Sequence, residues 1–160
     1  MAIPDPLDDL AHDHGELSVL VFEVLHALEH KASPPPPPVE QGWMRPRLVG
    51  LREALLLHFA REEEGLFPFV GLHFPEAAAR VTAMQVAHDE ICGGITRMAY
   101  LAEQGAETFP RHLQTITASF MRFLDDYVSH SRIESALIEE LAGRLDVEQR
   151  AALAELLRGV

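Results

Sequence analysis

Cysteine is almost missing from this chain of 160 residues: Cys92 is the only one. A single thiol excludes an intrachain disulfide and any Cys-rich zinc module. Long apolar runs are also missing. None reaches the roughly 18 to 20 residues that a membrane helix needs, so no spanning segment is expected. The opening MAIPDPLDDLAHDHG is acidic and lacks the basic-then-apolar layout of a signal peptide, and a cytoplasmic location is expected. Basic charge is scarce. Thirteen Lys and Arg face 25 Asp and Glu, for a net charge of −12. Such a surface repels phosphate backbones and anionic lipid, so neither nucleic acid nor membrane is expected as a partner, whereas cations are attracted. Strand signals are nearly absent too, with no alternating Val/Ile/Thr runs bounded by Asn-Gly or Asp-Gly turns.

What remains is helix. With 48% hydrophobic residues the chain can build a sizeable core. One amphipathic stretch covers about 7–31 and stops at Ser33 and the five prolines at 34–38, which cannot be helical and form a stiff connector over 33–44. A second covers about 45–64 and stops near Gly65, with GLFPFVGLHFPE at 65–76 read as an apolar, Gly/Pro-broken loop. A third covers about 76–104, closed by Gly105. The fourth covers about 109–142, with Thr108 as N-cap, Pro110 in the first turn and Gly143 at the end. Asp146 caps a terminal helix over about 146–158, with Glu148 in its first turn. No internal repeat is present. The expected fold is all-α: one domain over 1–160, an antiparallel up-down-up-down four-helix bundle with a short C-terminal helix.

Read at alternating three-and-four spacing, each helix shows one apolar seam. The first gives Leu7, Leu10, His14, Leu17, Val21, Val24, Leu28; the second gives Leu48, Leu51, Leu55, His58, Glu62. The third gives Val81, Met84, His88, Ile91, Ile95, Met98, Ala102; the fourth gives Leu113, Ile116, Phe120, Phe123, Tyr127, His130, Glu134, Leu137, Leu141. Every seam is interrupted by imidazole or carboxylate at one level of the bundle. A core carboxylate is costly unless paired or bound to metal, and no Lys or Arg lies on any seam. His58/Glu62 and His130/Glu134 stand four apart, so each pair projects from one helix face. That spacing lets an imidazole take one metal while the carboxylate reaches a second. His12, His26, His30, His73 and His112 lie off the seams or in loops, and His26/His30 reads as a solvated pair.

These residues resemble the hemerythrin-like, or HHE cation-binding, family. The matching segments are HDHGEL around His14, HFAREEE around His58 and Glu62, VAHDEI around His88, and HSRIE around His130 and Glu134. They span about 7–142. The resemblance implies a non-haem di-iron centre, Mn or Zn being alternatives, with His14, His58, His88 and His130 as terminal ligands and Glu62 and Glu134 as bridging carboxylates. Oxygen-carrying members have a His-x-x-x-His pair on the third helix; here Met84 and Cys92 flank His88. Met84 reads as core, since a thioether suits oxidised iron poorly, and Cys92 as a buried inert thiol.

Two six-coordinate irons need about twelve ligand positions. Two carboxylate bridges, an oxygen bridge and four histidines leave about two open, against about one in a five-histidine site. That opening favours a protein that binds or reacts with a small oxidant (O2, peroxide or NO) for sensing, scavenging or redox chemistry, with an unidentified electron donor. The alternatives are an iron-handling, storage or sensing protein without catalysis, and a structural bundle with adventitious zinc. Tyr127 lies one turn before His130 and reads either as core or as an extra ligand or hydrogen-bond donor at the metals. Glu63 and Glu23 read as solvated.

Overall fold

The computed structural model describes residues 5–30, 44–105 and 108–160, and the side chains of all of these but His30 and Phe109. The proline connector over 33–44 lies outside them except for Met44. Helix α1 runs Pro6–His30, opened by the Asp5 carboxylate accepting from the Leu7 amide. Helix α2 runs Met44–Arg61 and passes without a break into a π turn, Glu62–Leu66, and then helix α3, Phe67–His73. A 3-10 turn, Pro75–Ala77, leads into α4, Ala78–Glu103. Helix α5 covers Phe109–Arg144 and α6 covers Val147–Arg158.

Each long helix packs beside two others, α1 against α2 and α5, and α4 against α2 and α5. The core falls into two apolar clusters. One holds Leu17, Val21, Leu55, Phe59, Ile91, Phe123 and Tyr127. The other holds Leu7, Leu10, Leu66, Phe67, Met84, Leu137 and Leu157. Along the chain the seam passes from the second cluster to the first on α1 and α4, and from the first to the second on α2 and α5. The four helices therefore run up, down, up, down. The histidines and glutamates of the seams lie between the clusters, as one polar layer.

Segment 65–76 is not a loop. Pro68 sits in the first turn of α3, where no amide donor is needed, and Phe67, Phe69, Val70 and Phe74 are all buried. The terminal helix packs closely over Gly65: a Cβ there would lie 2.7 Å from Leu157 Cδ2. Leu153 and Leu157 of α6 cover this end of the core. At the other boundaries, Gly105 has the positive φ, 102°, that a chain reversal needs. Thr108 occupies the N-cap position of α5, but its hydroxyl turns back to the carbonyls of Gln104 and Gly105. Helix α5 runs through Gly143 to Arg144 and ends where Leu145 turns extended. Asp146 caps α6 by a reciprocal pair of bonds with Gln149. No helix among the described residues is long and apolar enough to cross a membrane.

Candidate metal centre

The polar layer is built by four helices and one π turn. His14 comes from α1, His58 from α2, Glu62 from the π turn, His88 from α4, and His130 with Glu134 from α5. All six converge. His14, His58, Glu62 and Glu134 form one group of donor atoms lying within 4.8 Å of one another, and Glu62, His88 and His130 form a second. Glu62 belongs to both. Its Oε1 lies 3.6 Å from His58 Nε2 and its Oε2 lies 3.0 Å from His88 Nε2, one oxygen toward each group. Glu134 Oε2 lies 2.5 Å from His14 Nε2 and 3.2 Å from His130 Nε2, and its Oε1 lies 3.7 Å from His58 Nε2.

These atoms are close but not aligned as hydrogen bonds. Both oxygens of Glu62, both of Glu134, and Nε2 of His14, His58, His88 and His130 are buried with no hydrogen-bond partner. Lone pairs that face a common interior point, deprived of water, are strongly destabilising unless a cation lies among them. The donor set of imidazole nitrogens and carboxylate oxygens fits Fe, Mn or Zn. Without a cation, protons take up part of the load. Burial, and then Glu134 beside it, raises the Glu62 carboxyl well above the usual range. Burial works on Glu134 in the same direction, but Glu62, His130, His14 and His58 outweigh it and leave Glu134 well below that range. In this tightly coupled pair the Glu62 carboxyl is thus the harder to ionise and the Glu134 carboxyl the easier. Burial, and then His130, pushes His88 down to about 3, so its ring is neutral with a lone pair to offer.

Two aromatic rings and one carboxylate fix His88. Phe59 stacks on it at 3.7 Å between ring centroids, and Phe67 at 5.4 Å. The carboxylate is Glu63, whose Oε1 accepts from His88 Nδ1 at 2.7 Å. Glu63 is therefore not a purely solvated residue. The π turn allows two consecutive glutamates to reach the two nitrogens of one imidazole, which regular helix, turning about 100° per residue, works against. Neither Phe59 nor the bond from Glu63 was expected. Phe59 stands four after Leu55 and three before Glu62, so the seam spacing admits it as readily as His58. Glu63 carried no comparable signal.

The remaining candidates lie elsewhere. Tyr127 stacks on Phe123 in the cluster that holds Leu17 and Val21, and its hydroxyl lies 3.4 Å from Ser18 Oγ. Burial raises its pKa, so it is a neutral phenol. Met84 is core. Cys92 is half-buried rather than buried; the burial it has, then Glu63 and Asp89, pushes its thiol up to about 11, which suits an unreactive thiol. Glu23, His26 and His73 are exposed. His12 is exposed and pairs with Glu16 at 3.4 Å.

An antiparallel helical bundle with a buried imidazole and carboxylate layer defines a class of cation-binding proteins. The model of the hemerythrin HHE cation-binding domain matches residues 5–142, and the chain belongs to that family. Neither a curated protein nor a solved structure matches it. The family match stops two residues short of the end of α5, so α6 lies beyond it.

Proposed function

We propose that this is a non-haem di-iron protein of the cytoplasm that binds or reacts with a small oxidant, O2, peroxide or NO, for sensing, scavenging or redox chemistry. His14, His58, His88 and His130 would be the terminal ligands, and Glu62 and Glu134 the bridges. The observation that carries the reading is the eight unpartnered inward-facing donor atoms of these six residues. Glu62, with one oxygen toward each group, supports two cations rather than one.

A pair of irons held there supplies the redox chemistry that small oxidants require. The chain's own residues do the rest. The two apolar clusters exclude water from above and below the layer. Neutral His88 keeps its inward lone pair because Glu63 accepts the proton-bearing nitrogen. With six protein residues and no second histidine on α4, ligand positions are left for a small molecule.

Metal analysis and an optical spectrum of protein purified without chelator test this reading. Two irons per chain and near-ultraviolet absorption that bleaches on reduction are expected; a colourless protein with two zincs would overturn it. Stopped-flow mixing of the reduced protein with O2, NO and peroxide should change the spectrum with at least one of them. The partial exposure of the His14 side chain, 15%, favours a second reading, an iron-handling protein that releases its metal. Unchanged spectra with all three reagents would select it.

A further inference from the structure

Burial of the centre is uneven. The side chains of His58, His88, His130, Glu62 and Glu134 are at most 3% exposed, against 15% for His14. His14 stands on α1 and His58 on α2, with their rings 4.9 Å apart across the seam between those helices. A cavity of about 140 Å³ lies against this seam, with Asp13, Glu16, Ala54, Arg61 and His58 itself in its wall. Neither the groove against Ser18 and Tyr127 nor the cavity against Arg97 and Arg122 has a residue of the centre in its wall.

The inner end of this cavity is polar and incompletely satisfied. His58 Nε2 is turned toward Glu62 and Glu134, and Nδ1, on the other edge of the ring, lies 3.8 Å from Asp13 Oδ2. That Nδ1 is buried without a hydrogen-bond partner. Asp13 Oδ2 is held instead by the Arg61 guanidinium in a part-buried ion pair. The wall carries two carboxylates and one guanidinium among the apolar side chains of Leu17, Leu20 and Leu57, a net charge that attracts cations, and a hydrated divalent ion sheds water most readily onto carboxylate oxygen.

We propose that this cavity is the route by which a divalent cation reaches the centre, with Asp13 as the oxygen that takes it first and Arg61 as the gate on Asp13. The proposal rests on the reading of the centre as a cation site. Arg61 neutralises Asp13 while the route is idle. An arriving cation competes for Oδ2 and releases the guanidinium toward solvent, where a fifth of its side chain already lies. Once the cation has passed to Nε2 of His58, Asp13 Oδ2 faces Nδ1–H and is placed to accept from it, as Glu63 does for His88.

Stopped-flow uptake of Co²⁺ by the chelator-stripped full-length chain, followed by visible absorption, tests the route. Arg61→Ala should raise the uptake rate about 3- to 10-fold with the final absorbance unchanged, and Asp13→Asn should lower the rate by a similar factor. Arg97→Ala removes the same charge from the other cavity and should leave the rate as it was. Ala54→Leu narrows the passage and should slow uptake, a result that does not depend on Asp13→Asn folding. Unchanged rates in Arg61→Ala and Ala54→Leu, or equal acceleration by Arg97→Ala, would overturn the route while leaving the centre intact. A wild-type chain that binds no cobalt would overturn the reading of the centre itself.

Discussion

Nδ1 of His88 donates to Oε1 of Glu63 at 2.7 Å, so the residue that orients one imidazole of the centre is the immediate chain neighbour of Glu62, which reaches the other nitrogen of the same ring. The π turn makes this possible, and it makes the local backbone part of the centre's design. Removing the acceptor should loosen the imidazole without removing a donor atom. Glu63→Ala is expected to weaken Co²⁺ binding about 10- to 100-fold, with Glu63→Gln less affected. Competition against a chelator measures this, and equal affinity in all three proteins would return Glu63 to the solvated surface.

The six centre residues should behave differently from the remaining histidines. His130→Ala and Glu134→Ala are expected to lose at least one metal per chain, while His26→Ala and His112→Ala keep the wild-type content. Metal analysis of the four variants decides the matter. Equal loss from both sets would mean that the seam does not select the ligands.

Stability of the metal-free protein should depend on pH through two opposing groups. His88 falls from an ordinary 6.5 to about 3 in the fold, so its contribution is complete above pH 6.5 and is lost as pH falls toward 3. Glu62 is raised above its ordinary 4.5, so its contribution is complete below that pH and is lost as pH rises. Between about pH 4.5 and 6.5 the slopes oppose each other, each about 1.4 kcal/mol per pH unit at most. Glu62→Gln should then lose stability on acidification and His88→Gln should gain it. Urea midpoints of the two variants at pH 6.5 and 5 check the signs, and slopes of the same sign would contradict the assignment.

At Gly65 the π turn and α6 meet with no room for a side chain. Gly65→Val should push Leu157 out of the cluster it shares with Leu66 and Leu153 and destabilise the protein by about 1 to 3 kcal/mol. Adding Leu157→Ala should recover part of that loss, although Leu157→Ala alone is destabilising. Denaturant midpoints give the coupling; purely additive losses would show that the two residues do not press on each other in solution.

Spacing alone showed the four long helices, an apolar seam on each, and the six seam positions that carry imidazole or carboxylate. Periodicity is a local property, and a polar residue on an apolar stripe stands out without knowledge of its neighbours. The helical path of 65–76 was hidden, since Gly65 and Pro68 signal a break locally. Only burial of Phe67, Phe69 and Phe74 in the cluster that Leu153 and Leu157 of α6 complete makes helix the better solution there. The partners of Glu63 and Asp13 were hidden for a related reason. Both stand off the seams, and what an exposed-looking carboxylate touches is set by the register between helices that the chain brings together from 25 and 48 positions away. Composition and spacing state which side chains must be buried; which oxygen faces which nitrogen is decided by how four rods and one widened turn pack.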